Sequence, residues 1–364
     1  MAVMKSEKER QEKRQAELQI WFQGILPALG ETNTRAKIKA LTGDASFRRY
    51  FISTPNEIPY VLVDAPPEKE DNRTFVQVAR SFLSAGLHVP RVFDVNYEKG
   101  FLCLSYLGDT LLWEKLDALR KQDNLAEVSA VYHQAFESLL KIQEIREGSE
   151  ILLPPFDGTL LLAEMNLFRE WFCEGIMGMT LSSEDNELLE NFFEMLIESA
   201  LSQPQVCVHR DFHSRNLMVQ EGEGLGIIDF QDAVIGPFTY DLVSLIKDCY
   251  IIWPKAMIRQ WALEYARMAK TAGIIGSIES NDFLHDFDLM GLQRHLKAVG
   301  IFSRLYLRDG KNGYLGDIPR TLAYIKEVMV DYPALDEVAR WFDKKIYPTL
   351  VTKLNAAITR RSAS

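Results

Sequence analysis

Cysteine is scarce in this chain of 364 residues: there are four, Cys103, Cys173, Cys207 and Cys249, and none forms a Cys-x-x-Cys pair. This spacing gives neither a disulfide framework nor a zinc-binding pattern, so we expect a reducing, cytoplasmic setting. Positive charge is also in deficit, with 41 Lys and Arg against 51 Asp and Glu and a net charge of −10. Non-specific binding of nucleic acid needs a positive surface, so we expect no nucleic-acid partner.

Long apolar runs are missing as well, since no window approaches the roughly 18 uninterrupted apolar residues of a membrane span. Residues 5–17 alternate Lys, Arg, Glu and Gln, whereas a secretion signal would need an apolar stretch there. We therefore expect a protein of the cytoplasm with no membrane partner. The same charged pattern predicts a solvated helix over 4–18 that leads into Trp21, Phe22 and Leu26.

The rest of the composition is ordinary for a globular protein, with 47% hydrophobic and 25% charged residues. At roughly 100–200 residues per domain, the length predicts two domains or one unit of two lobes. Within residues 1–107, the segment that follows the first helix is rich in strand patterns. Aromatic and β-branched residues predict a first strand pair at 47–52 and 60–63 and a second pair at 92–95 and 101–104. A helix is predicted between the two pairs, over 72–85.

Residues 108–364 are mainly helical by the spacing of their apolar residues, apart from a β insertion over 206–208, 217–219 and 226–228. The sequence therefore predicts an α+β protein with a small strand-rich lobe, residues 1–107, and a larger helical lobe, residues 108–364. The predicted helices of the larger lobe cover 125–147, 159–179, 184–202, 239–251, 255–272, 282–308, 319–330 and 334–357.

The strongest chemical signal is the loop His209–Asn216, followed by a strand that ends at Asp229. Phosphoryl transfer needs a carboxylate to orient the attacking hydroxyl, and oxygen ligands that hold Mg²⁺ against the phosphates. Asp211 suits the first task, and Asn216 and Asp229 suit the second. A loop ending at Asn216 and a strand ending at Asp229 would bring these oxygens together at a short hairpin.

These motifs resemble the catalytic loop and the metal-binding aspartate of the protein-kinase-like superfamily, which implies a two-lobed kinase fold. Protein kinases place a long activation loop after that aspartate, but Asp229 is followed almost at once by 237–242, so no room remains to dock a peptide. The arrangement instead resembles the aminoglycoside phosphotransferase and choline kinase branch, which acts on small molecules. In that resemblance Asp241 braces the catalytic loop as structural support, although a simple helix cap fits the same position.

The strand-rich lobe contains candidate contacts for ATP. The turn Gly43–Phe47 resembles a phosphate-covering turn in which backbone N–H groups and the Ser46 hydroxyl meet the phosphates. A plain hairpin turn fits this stretch too. Ser105, Tyr106 and Leu107 stand where such enzymes pair backbone groups with adenine, although a linker of no special chemistry is the alternative.

A lysine is missing from the strand 60–64, where a kinase lobe normally supplies a cation for the α- and β-phosphates. Either another cation meets the phosphate charge, with Arg48 and Arg49 the nearest candidates, or the protein is a pseudokinase that only binds nucleotide. The intact loop and strand-end residues favour the first interpretation.

Two helices of the larger lobe carry candidate acceptor contacts, and His213 of the loop joins them. Glu170 and Trp171 suit a sugar, whose C–H face stacks on a ring while its hydroxyls form hydrogen bonds, although an amphipathic helix explains the same pattern. Arg294 and His295 belong to a group of cations at three- and four-residue spacings on a later helix. Such a group is either a solvated face or a site for an acidic acceptor.

Seven motifs together are similar to one family, the bacterial N-acetylmuramate/N-acetylglucosamine anomeric kinases of the aminoglycoside phosphotransferase fold. The likeness runs from about residue 40 to about residue 325, and the strand without lysine reads Asp-Ala-Pro-Pro in these relatives too. The motifs are 43–50, 63–67, 168–172, 209–218, 229–233, 240–244 and 293–297.

The resemblance implies phosphorylation of the C1 hydroxyl of both amino sugars with ATP and Mg²⁺. It also implies that the product, an α-1-phosphate, passes to a separate sugar-1-phosphate nucleotidyltransferase in cell-wall (peptidoglycan) recycling. N-acetylmuramate carries a lactyl carboxylate that N-acetylglucosamine lacks, and Arg294 or His295 is a candidate to pair with it. A kinase of the same fold acting on an aminoglycoside, choline or another metabolite is the nearer alternative, and a nucleotide-binding pseudokinase is the more distant one.

Overall fold

The structure, a computed structural model, describes residues 2–41, 47–145, 152–220, 222 and 224–362. The chain forms two compact units. The first contains the described residues up to Leu111 together with the segment Leu217–Gln231, and the second contains the other described residues. The predicted division after residue 107 lies close to the first of these limits, whereas the hairpin around residue 222 belongs to the first unit.

A five-stranded antiparallel sheet forms the centre of the first unit, and its strands are β1 (Lys39–Ala40), β2 (Arg49–Ser53), β3 (Tyr60–Asp64), β4 (Val92–Asn96) and β5 (Phe101–Ser105). They lie in the order β1-β2-β3-β5-β4. The helix Ala2–Ile25 (α1) packs its buried Leu18 and Phe22 against Phe51 and Leu62 on one face of this sheet. The amphipathic end of the long first helix therefore covers one face of the sheet.

Two further elements complete the first unit. The helix Asn72–Ser84 (α2) begins at Asp71, whose side chain accepts hydrogen bonds from the first backbone N–H groups and so caps the helix. A hairpin follows much later in the chain, with strands Leu217–Gln220 and Gly224–Ile227. Its Ile227 N–H donates to the carbonyl of His88 at 2.7 Å, so the hairpin that ends just before Asp229 is held by the first unit.

The second unit is mainly helical, and its helices are α3 (Leu112–Lys121), α4 (Leu125–Gln143), α5 (Gly158–Leu167), α6 (Ser183–Ser202), α7 (Tyr240–Ile246), α8 (Lys255–Thr271), α9 (Ser280–Leu307), α10 (Ile318–Asp331), α11 (Asp336–Lys345) and α12 (Leu350–Ser362). A π-helix, Phe168–Ile176, continues α5. The long helix α9 runs through the core. Gly300 lets it approach α5, since a Cβ there would lie 2.4 Å from the Leu167 carbonyl carbon. This close crossing sets the middle of α9 against α5.

A two-stranded antiparallel sheet in the second unit joins Gln205–Val208 to Val234–Pro237, with Val208 opposite Val234. The loop that begins at His209 therefore starts from a fixed strand end. Short 3₁₀ turns complete the described elements at Leu26–Leu29, Pro55–Glu57, Asn312–Asp317 and Pro333–Leu335. No helix among the described residues has the length and apolar content needed to cross a membrane.

The predicted α+β class is confirmed, with differences in detail. The predicted helix 239–251 ends at Ile246, and the predicted helix 334–357 breaks before Pro348, because a proline disfavours helix in the residue that precedes it. The helix Leu112–Lys121 and the strand Val234–Pro237 were not predicted. That strand contains glycine and proline, which both lower the strand signal in a sequence.

Candidate active site

The loop His209–Asn216 begins at the end of a strand and is held there by Asp241, a fully buried residue in the first turn of α7. The Asp241 carboxylate accepts hydrogen bonds from the backbone N–H groups of His209 (2.6 Å) and Arg210 (3.0 Å). Arg210 adopts a left-handed backbone conformation, with φ of 75°, which a non-glycine residue keeps only when its surroundings impose it. Burial raises the pKa of Asp241 to about 7, although both backbone hydrogen bonds oppose the shift.

The far half of the loop is held by a second carboxylate, Asp248, which follows α7. The backbone N–H and the hydroxyl of Ser214 donate to it at 3.0 and 2.5 Å, and Tyr250 N–H donates to its other oxygen at 2.9 Å. Trp113 N–H donates to the Ser214 carbonyl at 3.0 Å. The loop is therefore fixed at both ends by buried acceptors.

Asp211 lies between these two anchors and is partly buried. Its carbonyl accepts hydrogen bonds from the backbone N–H of His213 and from the side-chain amide of Asn216, both at 3.0 Å. Burial raises the pKa of the Asp211 carboxyl, but the charges of Lys297, His213, Arg294 and Arg210 more than offset it and hold the pKa well below its usual range. Asp211 is therefore an ionised carboxylate at neutral pH.

A cluster of buried charges surrounds Glu164 of α5. Its carboxylate accepts hydrogen bonds from Arg210 (2.6 Å) and Gln293 (3.1 Å) and lies 3.0 Å from the Lys297 ammonium. Lys297 also donates to the Tyr240 hydroxyl at 2.8 Å. Burial raises the pKa of Glu164, but the nearby charges of Lys297 and Arg210 lower it by more. The pKa therefore lies below its ordinary value, and the carboxyl is ionised. This cluster connects the catalytic loop to α5 and α9.

Arg294 differs from these cations because it forms no hydrogen bond or ion pair with any described residue. It is 5% exposed, and its guanidinium carbon lies 6.0 Å from the centre of the Tyr240 ring. A buried charge without a partner is costly, and it suits a site that receives an anion. Its charge acts on Asp211, so this cation accompanies the candidate catalytic carboxylate.

His295, the neighbour of Arg294, lies in the core. Its Nε2 donates to the Lys247 carbonyl at 3.0 Å, and its ring stacks on Tyr324 with 4.8 Å between ring centres. Burial lowers the pKa of His295 to about 3, so its ring is neutral at neutral pH. This corrects the expectation that His295 can offer positive charge to an acidic acceptor.

The other candidate acceptor residues lie on different elements of the second unit. Glu170 is exposed and Trp171 partly buried on the π-helix, a type of helix that is frequent at functional sites. The rings of His213 and Tyr250 pack in an edge-to-face arrangement, with 5.4 Å between ring centres. Among these residues, His213 is the one whose charge acts on Asp211. The roles of Glu170 and Trp171 stay predictions.

Asp229 belongs to the first unit, where it follows the hairpin strand Gly224–Ile227. It too is left-handed, with φ of 64°, and its Oδ1 accepts a hydrogen bond from the Gln231 amide at 2.8 Å. The next residue, Phe230, packs on Phe75 with 5.1 Å between ring centres. A strained aspartate at the end of a packed strand is typical of a functional position.

The candidate ATP contacts also lie in the first unit. Arg48 forms an ion pair with Glu70 at 2.9 Å, whereas Arg49 pairs with Asp64 on β3. Ser105 ends β5, with its hydroxyl accepting from Arg91 N–H at 2.8 Å, and the Leu107 carbonyl accepts from Gln220 at 3.2 Å. Burial raises the pKa of Tyr106. The turn Gly43–Ser46, and with it Ser46, lies outside the described residues.

Three residues of the buried charge cluster, Glu164, Arg210 and Lys297, were not predicted to be functional. Glu164 belongs to an aromatic helix segment in which Glu170 and Trp171 were the candidates, and Lys297 belongs to a group of cations that also fits a solvated face. Arg210 was a plain member of the loop. The available signal was the spacing of Gln293, Arg294 and Lys297, which share one face of a helix.

Comparisons with known proteins identify the family of this chain. The model of the phosphotransferase enzyme family matches residues 37–274. An N-acetylmuramate/N-acetylglucosamine kinase of Pseudomonas putida is 39% identical over 89% of this chain and 94% of its own length, and one of Neisseria meningitidis is 37% identical over 88% and 93%.

Solved structures show the same fold at low sequence identity. A choline/ethanolamine kinase family protein from Mesorhizobium loti aligns with a TM-score of 0.58 at 15% identity, over 89% of this chain and 97% of that one. An ADP-bound aminoglycoside phosphotransferase aligns with a TM-score of 0.53 at 16% identity, over 85% and 97%. The chain therefore belongs to the phosphotransferase enzyme family, in the branch of its bacterial N-acetylmuramate/N-acetylglucosamine kinase relatives.

Proposed function

We propose that this phosphotransferase uses ATP to phosphorylate the C1 (anomeric) hydroxyl of N-acetylmuramate and N-acetylglucosamine, giving the α-1-phosphate. Relatives named as kinases of these two sugars are 37–39% identical, and the alignments span 93–94% of their length. The observation that carries the reaction class is an ionised Asp211 on a loop held at both ends by buried carboxylates.

Asp211 acts on the attacking hydroxyl. Its carboxylate accepts a hydrogen bond from the C1 hydroxyl and takes the proton as the sugar oxygen bonds to the γ-phosphorus. The bond between that phosphorus and the bridging oxygen breaks, and ADP leaves. A carboxylate of low pKa is a weak base, but an anomeric hydroxyl is more acidic than an ordinary alcohol, and the loose transition state needs mainly positioning.

Asn216 and Asp229 are the proposed ligands of Mg²⁺. Amide and carboxylate oxygens are the hard ligands that this ion takes, usually beside water and substrate phosphates. The amide nitrogen of Asn216 donates to the Asp211 carbonyl, and the Asp229 carboxylate accepts a hydrogen bond from Gln231. By the chemistry of their donor atoms, both residues fit the ion. When bound, Mg²⁺ neutralises phosphate charge as the phosphoryl group moves.

The nucleotide contacts are proposed for the first unit. Backbone groups of Ser105, Tyr106 and Leu107 pair with adenine, and Arg48 meets the phosphates. Ser46 stays a prediction for the same phosphates. An aminoglycoside phosphotransferase of this fold has been solved with ADP bound, which supports a nucleoside triphosphate as the donor here.

Arg294 is the proposed receptor for the lactyl carboxylate of N-acetylmuramate. The carboxylate would supply the anion that this buried guanidinium lacks among the described residues. Charge-assisted hydrogen bonds of this kind are short and about twice as strong as neutral ones. N-acetylglucosamine has no such group, so the same residue can distinguish the two sugars. Glu170, Trp171 and His213 remain candidates for the ring and the hydroxyls.

The product chemistry indicates the next step. A sugar α-1-phosphate is the substrate of a sugar-1-phosphate nucleotidyltransferase, which would give the UDP-sugar in peptidoglycan recycling. We expect this sequence of reactions in the cytoplasm, where ATP is present. No stable complex with the nucleotidyltransferase is needed for this transfer.

The test is ADP release from ATP and Mg²⁺ with N-acetylmuramate, N-acetylglucosamine, choline and kanamycin as acceptors. We expect release with the two amino sugars alone, and a product that no longer reacts as a reducing sugar because C1 is blocked. Turnover of choline or kanamycin alone would replace the proposed acceptor. Release with an amino sugar whose reducing end survives would reject C1 as the position. No release with any acceptor, while ATP still binds, would support a pseudokinase.

A further inference from the structure

The sheet of the first unit presents two consecutive arginines in different surroundings. In β2, residues alternate between the two faces of the sheet, so Arg49 and Phe51 share one face and Tyr50 lies on the other. Arg48 precedes Tyr50 by two residues and shares its side. The two candidate phosphate cations of the sequence therefore lie on opposite sides of the sheet.

Arg49 faces the N-terminal helix α1. It pairs with the fully buried Asp64 of β3, which also pairs with Arg14 of α1. Arg49 donates in addition to the Gln11 carbonyl at 2.9 Å. These contacts fasten α1 to the sheet, so the charge of Arg49 is already used in the structure.

Arg48 lies on the side of Asp229. Its guanidinium pairs with Glu70 at 2.9 Å and lies 5.4 Å from the centre of the Phe75 ring. The same ring packs on Phe230, which follows Asp229. The charges of Arg48 and Asp229 both act on the partly buried Tyr50, whose pKa is raised to about 12, mainly by desolvation. Several contacts thus bring Arg48 and the candidate metal ligand to one side of the first unit.

Glu70, the ion-pair partner of Arg48, has the position of a residue that holds a phosphate-binding cation. Glu70 stands just before α2, the helix that packs on this side of the first unit through Phe75. In kinases, a cation on the third strand contacts the α- and β-phosphates and is held by a glutamate from the neighbouring helix. In this chain the third strand, Tyr60–Asp64, offers no cation. Its next residue, Ala65, is apolar and fully buried.

We propose that Arg48, which directly precedes the second strand and is held by Glu70, binds the nucleotide phosphates in place of a cation on the third strand, and that Arg49 instead anchors α1. The inference rests on the proposed use of ATP. Arg48 is 6% exposed, so it is a positioned group whose guanidinium can bind two phosphate oxygens at once. Arg48 then has a binding role toward phosphate and no part in proton transfer.

The test is a direct titration of the full-length protein with ATP, ADP and adenosine, without any sugar. In the Arg48→Met variant we expect the affinity for ATP and ADP to fall by about 10- to 100-fold, whereas adenosine binding changes by no more than about twofold. The Arg49→Met variant is the matched control: it should keep its ATP affinity and show a lower melting temperature, because α1 loses an anchor.

Three results would overturn the proposal: unchanged ATP affinity in Arg48→Met, an equal loss for adenosine, or a loss of ATP binding in Arg49→Met instead. If Arg48→Met does not fold, Arg48→Gln replaces it, since glutamine keeps a hydrogen-bond donor for Glu70 without the charge, and the same loss is expected. The wild-type titration separates this proposal from the proposed function. A wild-type protein that binds no ATP contradicts the function itself, whereas binding that ignores Arg48 contradicts only this assignment.

Discussion

Two clusters of charged residues each include residues of the helix α9, and they differ in how completely their charges are paired. Toward the start of the helix, Asp288 accepts hydrogen bonds from Lys247 (2.7 Å), Arg259 (3.1 Å) and Tyr332 (2.9 Å). Arg259 also reaches Asp331 at 3.2 Å. Each charged group of this first cluster has an opposite charge beside it.

The second cluster lies at the middle of the helix, around Glu164, and includes Arg210 and Lys297. Here Arg294 has no partner among the described residues, and one nitrogen of Arg210 and the amide oxygen of Gln293 are buried without a hydrogen bond. The second cluster is therefore the less satisfied of the two.

The difference separates a structural role from a binding role. Pairing offsets the cost of burying charge, whereas an unpaired buried charge is retained against its cost in stability. Proteins tolerate such a cost at functional sites. The first cluster holds α7, α8, α9 and α10 together, and we propose that the second, beside Asp211, provides a cation for an anionic ligand.

The largest expected effect belongs to the carboxylate beside the second cluster. Asp211→Asn removes the charge that we propose orients the attacking hydroxyl, so kcat should fall by about 100- to 10,000-fold. Affinity for ATP should change little, whereas the melting temperature should fall modestly, because the surrounding cations stabilise the folded protein through the ionised form of Asp211. Steady-state kinetics with N-acetylglucosamine and a nucleotide titration provide the check. Asp282→Asn, an exposed aspartate at the start of α9, is the control, and appreciable turnover by the Asp211 variant would refute the assigned role.

Breaking the first cluster should affect stability and leave chemistry alone. Lys247→Met leaves Asp288 buried with fewer partners, which should lower the free energy of unfolding by about 3–5 kcal/mol. The kcat of the remaining folded protein should be unchanged. The double variant Lys247→Met/Asp288→Leu should recover much of the loss in denaturant unfolding, because no unpaired charge then remains. A double variant as unstable as the single one would argue against charge as the cause.

Removing Arg294 should act mainly on binding. In Arg294→Met the stability of the unliganded protein should fall less than in Lys247→Met, because Arg294 forms no hydrogen bond or ion pair with a described residue and loses only its longer-range attraction to Asp211. The KM for N-acetylmuramate should rise by about 10- to 100-fold, whereas that for N-acetylglucosamine should stay within about threefold. Arg304→Met, on the same helix, is the matched control. Equal effects on both sugars would indicate a role toward phosphate.

The smallest expected effect is a shift in pH dependence. Arg294 stabilises the charged form of Asp211, so its removal should raise the pKa of Asp211 toward the ordinary carboxyl value. The acid limb of kcat/KM for N-acetylglucosamine should then move upward by about one pH unit or less. A limb that moves downward, or does not move in Arg294→Met, would show that this charge does not act on the catalytic carboxylate.

The parts of the candidate site that the sequence could predict lie in short, contiguous motifs. The loop His209–Asn216 and the strand end at Asp229 are contiguous segments whose residue types alone specify their chemistry. Asp241 was predicted from the resemblance as a brace, with a helix cap as the alternative, and the structure shows its carboxylate bonded to the backbone of the loop.

Orientation is what the sequence could not provide. Arg294 and His295 are neighbours on α9, yet one remains an unpartnered charge and the other stacks neutral in the core. Helical spacing gives their relative angle, but only tertiary packing fixes which direction is inward. Arg48 and Arg49, at the start of β2, show the same limit. Alternation along the chain directs their side chains to opposite sides of the sheet, and only the position of α1 shows that Arg49 is the one that anchors this helix.

The most direct test of the account is the phosphorus NMR spectrum of the product formed from ATP and N-acetylmuramate. Transfer to the anomeric oxygen predicts a phosphorus signal that couples to H1 of the sugar. The α configuration predicts a small coupling between H1 and H2 of the same product. A phosphorus signal that couples instead to the protons on C6, or no sugar phosphate at all, would contradict phosphorylation of the C1 hydroxyl.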